Sequence, residues 1–186
     1  MICDLMEDAI MAATQIKRRG FGQVEPNHLT GIVDGSIYAQ LPVDTEAMGK
    51  VIEQGRFAKY DYANGKVDLT GAGPWLMIYN EEKLYDERYQ SHKDFAMIAK
   101  NYTNGEITPR LIEINVNDIF TTNTFGANTD KEAEVAGITL DQGDKVYVGT
   151  DGYLTTEVNA DGPVFQVVKV YTMPDGQPGV KLQRIA

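Results

Sequence analysis

The sequence predicts a mostly-β protein, with two related β-hairpin and corner modules forming a barrel- or sandwich-like body, an extended N-terminal arm and at most short helices. Three observations lead there. From Gly49 onward, short runs rich in β-branched and aromatic residues follow one another without a helical period. Turn pairs separate them, at Asn64-Gly65, Asn104-Gly105, Asp151-Gly152, Asp161-Gly162 and Asp175-Gly176, and such pairs supply the positive φ that tight hairpin turns demand. The third is an internal echo between residues 49–80 and 137–172, in which the same punctuation recurs in the same order.

Taken in order, the chain opens with "MICDLMEDAIMAATQIKRRG", whose first ten residues are acidic up to a second methionine, Met11. Met11 is a second candidate start, which would make residues 1–10 non-native; the competing reading is a short helical segment. Residues 1–48 as a whole read as an arm. Its apolar residues are scattered, its glycines frequent, and its one short strand signal is "GSIYAQL". An extended segment is stable only when it lies on something, its own domain or a neighbour. The arm is therefore a candidate contact element.

Residues 49–186 read as the body. Expected strands are "RFAKYDY", "WLMIYN", "DFAMIAKNY", "RLIEINV", "DIFTTNT", "KVYVGT", "VFQVVKVY" and "VKLQRI". Residues 80–94 read as a long loop with a helical turn or two. "DKEAEVA" reads as a short helix, with Thr129 or Asp130 as N-cap and Gly137 as its stop.

In the echo, "GKVIEQG" at 49–55 matches "GITLDQG" at 137–143; Asn64-Gly65 matches Asp151-Gly152, and Gly73-Pro74 matches Gly162-Pro163. Gln-Gly would open a hairpin, Asn/Asp-Gly would turn it, and Gly-Pro would break the pairing so that the next strand changes layer. Shared order argues for two copies of one module rather than convergent turn chemistry. Two copies cannot make a solenoid or propeller.

Composition narrows function mainly by exclusion. A net charge of -10 and a pI near 4.6 repel phosphate backbones, so nucleic acid is not an expected partner. The one basic cluster, Lys17, Arg18 and Arg19, reads either as a solvated arm or as a contact to an acidic partner surface. No apolar run reaches the ~20 residues of a membrane span, and no signal peptide is legible. Cys3 is the single cysteine, so neither a disulfide nor a Cys-rich zinc site is expected, and His28 and His92 lack ligand spacing.

The carboxylate groups Glu81-Glu82, Asp86-Glu87 and Glu132 with Glu134 sit in polar segments and read as surface. Ser36 and Ser91 lie in no nucleophile elbow, and no phosphate-binding glycine loop precedes a helix. "DQGDKVYVGTDG" lacks calcium-loop spacing. No catalysis and no cofactor are expected. Aromatics concentrate between Phe57 and Tyr89. Alternation puts Tyr60 and Tyr62 on one strand face, packing inward as a pair, and Trp75 is a candidate contact residue.

"IEQGRFAKYDYANGKVDLTG" followed by "PWLMIYNEEKLYDE", then "NDIFTTNT" and "LDQGDKVYVGTDGYLT", resembles small structural proteins of tailed bacteriophages, in particular those that decorate or cement the capsid. The resemblance covers roughly residues 49–172 and is one of arrangement rather than of a motif. It implies a non-enzymatic β-rich body on the outer capsid surface, an arm that meets the lattice of major capsid protein, frequent trimers, and synthesis in a bacterial host cytoplasm. Partner contacts are then expected at Lys17, Arg18, Arg19, Phe21 and Trp75. A neck or tail position fits the same residues. The rival from another class is a glycan-binding β-sandwich that uses Trp75 and nearby tyrosines.

Overall fold

The computed structural model describes residues 13–186 except 36, 40, 81–95, 102, 131–132 and 174. Along the chain run β1 (Thr14–Arg19), β2 (Val24–His28), α1 (Thr30–Val33), β3 (Ile37–Ala39), α2 (Thr45–Met48), β4 (Val51–Glu53), β5 (Phe57–Asp61), β6 (Lys66–Asp68) and β7 (Leu76–Ile78). After these come β8 (Ala96–Ile98), β9 (Arg110–Ile112), β10 (Ile119–Thr122), β11 (Glu134–Leu140), β12 (Lys145–Val148), β13 (Leu154–Thr155), β14 (Val164–Thr172) and β15 (Pro178–Arg184). The protein is mostly β, and every run expected as a strand contains one.

Six strands form one antiparallel sheet in the order β13-β12-β14-β15-β10-β2, and five form another in the order β3-β9-β7-β5-β6. Two-stranded ladders β1-β11 and β4-β8 accompany them. Among the described residues neither large sheet closes into a barrel, and the arrangement is sandwich-like.

Strand alternation explains where the core lies. Phe57, Met77 and Ile112 face the six-stranded sheet and share a cluster with Phe120, Val146, Phe165, Val180 and Leu182. Their neighbours Ala58, Leu76, Ile78 and Leu111 point the other way, into a second cluster with Val43, Met48, Ile52 and Ile107. The five-stranded sheet is thus covered on both faces. Phe165 joins the sheets, with its ring centroid 5.7 Å from that of Phe57 and 5.5 Å, edge-on, from that of Phe120.

The echo is a repeat of strand pairing as well as of turns. β5 pairs with β6 and β7, and β12 pairs with β13 and β14. Gly55 N donates to Ile78 O and Ile78 N to Arg56 O; in the second copy Gly143 N donates to Val167 O and Val167 N to Asp144 O. Ala58 opposes Leu76 as Val146 opposes Phe165, and Lys59 opposes Asp68 as Tyr147 opposes Thr155. The copies meet asymmetrically. Gly152, at φ +81, presses its turn against the start of β5, where its oxygen accepts from Phe57 N at 2.7 Å. Its counterpart Gly65, at φ +64, has nothing within 4 Å of a Cβ position.

Several expectations are corrected. From Thr14 on, the arm lies on the body itself: β1 pairs with β11 and β2 with β10, and Ile16, Phe21, Val24 and Leu29 are buried. Basic residues at alternate, outward positions of β1 hid that strand. Deleting residues 12–30 would therefore remove core side chains, not just a contact. The expected helix at "DKEAEVA" is β11 from Glu134. There Val135 turns inward, and a Cβ on Gly137 would lie 2.6 Å from Ile16 O, so this glycine admits a neighbouring strand rather than stopping a helix.

Only Tyr60 of the tyrosine pair goes inward; β5 ends at Asp61, the turn carries Tyr62 outward to 73% exposure, and the rings stack at 5.4 Å. The alternative start at Met11, Cys3, Ser36, the 81–95 segment with its carboxylates, tyrosines, Ser91 and His92, and Glu132 lie outside the described residues.

Candidate functional site

The residues expected to meet a partner do not assemble into one surface. Lys17 is exposed and pairs with Glu134 at 2.7 Å; that hydrogen bond and charge hold the Glu134 carboxyl below its ordinary pKa. Arg19 is exposed, and its backbone N–H donates to Gln177 Oε1 at 2.6 Å. Arg18 is 2% exposed, Phe21 6% and Trp75 7%. Trp75 lies beneath the Lys59 ammonium, 4.7 Å from the ring centroid, and beside Gly162. A glycan platform on Trp75 would need an open ring face that this packing denies.

Arg18 instead belongs to a buried node. Glu53, fully buried at the end of β4, accepts from Arg18 Nη1 at 2.9 Å, Gly22 N at 3.0 Å, Asn128 N at 2.8 Å and the Tyr153 hydroxyl at 2.7 Å. Arg18 also donates to Gly20 O at 2.5 Å and Gly126 O at 2.6 Å. Tyr153 lies under the Arg56 guanidinium, 4.9 Å from its ring centroid, and Arg56 Nε reaches Asp151 O at 3.0 Å. Burial first, then the Glu53 charge, pushes the Tyr153 hydroxyl well above its usual pKa. These donors occupy the carboxylate's acceptor positions, so the node is suited to fastening, not proton transfer. It ties β1, β4, the 126–128 segment and the β12–β13 turn together.

A second node is built on Asp118, itself only 1% exposed. Its carboxylate accepts from Thr30 N at 3.0 Å, Thr30 Oγ1 at 2.5 Å and Asn115 N at 2.8 Å, and Asn115 Nδ2 donates back to Thr30 Oγ1 at 3.1 Å. Asp118 O accepts from Arg184 N at 3.0 Å, Asn117 N donates to Arg184 O at 2.9 Å, and the Arg184 guanidinium bonds Ile114 O. Asn117 adopts φ 76°, a conformation that asparagine tolerates better than most residues.

Three segments, 30–33, 114–118 and 184–185, are thereby pinned together, and each carries one exposed aliphatic side chain. Val33 is 74% exposed, Val116 52% and Ile185 39%. They make up most of the large apolar side chains exposed among the described residues, the others being Tyr62 and Val158. Single exposed apolar residues need no explanation, but several carried by one hydrogen-bonded knot make a candidate interaction surface. Sequence reasoning missed it, because each residue is a lone exposed aliphatic among polar neighbours: "IVDGS", "INVND" and "QRIA".

No protein family, curated sequence or solved structure matches this chain.

Proposed function

We propose that this chain is a non-enzymatic virion structural protein that binds the lattice of major capsid protein and reinforces a phage head. The apolar end at Val33, Val116 and Ile185 would be its contact surface. One observation carries the placement: the exposed aliphatics ride on segments locked around Asp118, so their ordering cost is met before binding. The phage assignment comes from the sequence resemblance. In this reading the contact lies on the body rather than on the N-terminal segment, and copies assemble, trimers included, on the capsid surface.

The first test is genomic: a major capsid gene beside this one supplies the protein from which shells are assembled. Expanded shells should bind the purified chain at micromolar concentration and melt at higher temperature, since a ligand of the assembled state stabilises it by mass action. The V33S/V116S/I185S variant should lose about tenfold in attachment, while its urea midpoint moves little, because substitutions at exposed sites usually cost within about 0.5 kcal/mol each. Absence of attachment at micromolar concentration would refute the proposal. Attachment indifferent to the variant would refute the surface.

A further inference from the structure

We propose that the open edge of β14 over Val168–Thr172 docks an extended segment of a partner polypeptide that carries carboxylates at alternating positions. β14 pairs with β15 along most of its length. On its other edge β12 reaches only Gln166, opposite Lys145, and the last backbone bonds there join Val167 to Gly143 and Asp144. Beyond that point no described strand pairs with this edge. A strand edge left open is a template for another strand, with main-chain hydrogen bonds supplying affinity and side chains supplying choice.

The edge is not flat surface. A groove of about 790 Å³ runs beside it, with Asp141 and Gln142 at the end of β11 on one wall and Val168, Lys169, Val170 and Lys181 on the other. A bulge between Val167 and Lys169 opens the strand toward this space.

Lys169 and Lys181 stand directly opposite each other in the β14–β15 register. Like charges directly opposed in a ladder destabilise it. Neither forms an ion pair within 4.0 Å among the described residues, and the Lys181 ammonium lies 6.0 Å from the centre of the Tyr171 ring. A lysine on an open edge can serve as a guard against aggregation. That accounts for Lys169 but not for Lys181, which stands on an interior strand flanked by β14 and β10.

The groove lining carries two cations, Lys169 and Lys181, against one carboxylate, Asp141, which forms no ion pair with either within 4.0 Å among the described residues. In a chain of net charge -10 this positive excess calls for a further anion, and the open ladder calls for that anion to be carried on a strand. Side chains two apart point to the same face of a strand. Carboxylates at alternating positions of the incoming segment would therefore all face the lysine side. The inference rests on the edge and the lysines and holds whether or not the partner is a capsid protein.

The test titrates the intact chain with fluorescent hexapeptides: Val-Glu repeats, Val-Lys repeats, and the acidic peptide N-methylated at alternate residues. The acidic peptide should saturate. The lysine and N-methylated peptides should each bind about tenfold or more weakly, as lost charge complementarity and lost ladder bonds predict. K169E/K181E, and the milder K169Q/K181Q, should weaken acidic-peptide binding by about tenfold. The urea midpoint should stay put for K169E/K181E, which keeps like charges opposed, and rise slightly for K169Q/K181Q, which removes them. Peptide should slow amide hydrogen exchange at 168–172.

Equal binding of acidic and basic peptides, indifference to both lysine variants, or no saturation at millimolar peptide would overturn the proposal. So would protection, without peptide, of those amides at 168–172 that point away from β15, which would mean that the chain itself or a second copy covers the edge. Shell attachment of K169E/K181E, measured alongside, separates this site from the apolar end.

Discussion

Replacing Glu53 with Gln keeps the shape of the side chain and removes its charge. The variant leaves the Arg18 guanidinium, with 1% of its side chain exposed, beside an uncharged amide. Breaking a buried ion pair from one side costs about 3–5 kcal/mol, mostly the penalty of the stranded charge. The amide also turns an NH2 toward donors: Asn128 N at 2.8 Å can no longer find an acceptor at Oε2 if Gln places nitrogen there, and the Tyr153 hydroxyl must reorient. A loss near 4 kcal/mol is a large part of the ~5–15 kcal/mol that holds a typical domain. Trp75, the single tryptophan and buried, reports unfolding in urea.

The expected result is a lower midpoint at constant slope, since a stability change without altered exposure leaves the slope alone. R18M should be costly as well, because it strands the carboxylate. The double variant R18M/E53Q should cost less than the sum of the two, by about 1–3 kcal/mol of coupling. A loss under about 1 kcal/mol for E53Q, or strict additivity in the cycle, would refute the reasoning that this pair fastens β1 to the body.

Two further outcomes follow from the turns and from Tyr153. Gly152→Ala should cost about 3 kcal/mol or more, because its Cβ would lie 2.2 Å from Phe57 O and disrupt a buried hydrogen bond in addition to left-handed strain. Gly65→Ala meets only the strain, about 1–2 kcal/mol; equal losses by urea titration would contradict the asymmetric contact. The Tyr153 hydroxyl has a folded pKa raised above its ordinary 10.0. Its stabilising contribution is therefore complete below pH 10, and is lost above it as the unfolded chain gives up a proton that the folded chain keeps. Stability should fall there by about 1.4 kcal/mol per pH unit from this group. Tyr153→Phe should flatten that part of the curve, and an unchanged slope would show that Tyr153 is not its source.

Legibility followed the range of the interaction concerned. Turn chemistry is local, so Gly55, Gly65, Gly143 and Gly152 announced two matching hairpins, and each adopts positive φ. The strands between them could be read from apolar runs. Arg18 could not be read as buried, because its reason is Glu53, thirty-five residues away in sequence. Gly137 was mistaken for a helix stop because its role depends on the approach of β1. The apolar end was illegible for a related cause: Val33, Val116 and Ile185 come from distant segments that only Asp118 and Arg184 bring together.

The two copies also differ in what they turn outward. Phe57 and Met77, opposed in the first copy, are buried against the second; the positions that match them in the second are Lys145 and Gln166. Lys145 is exposed, Gln166 half-buried, and the preceding residue is Asp144 where the first copy has Arg56. A polar outer face is how a stack of repeats ends, since no further unit can bury itself there. The stack stops at two because its last surface is written in charge. The same face denies end-to-end growth between molecules: a head-to-tail contact that did not close would make fibres. Whatever assembly these molecules enter, its valence is set by other surfaces.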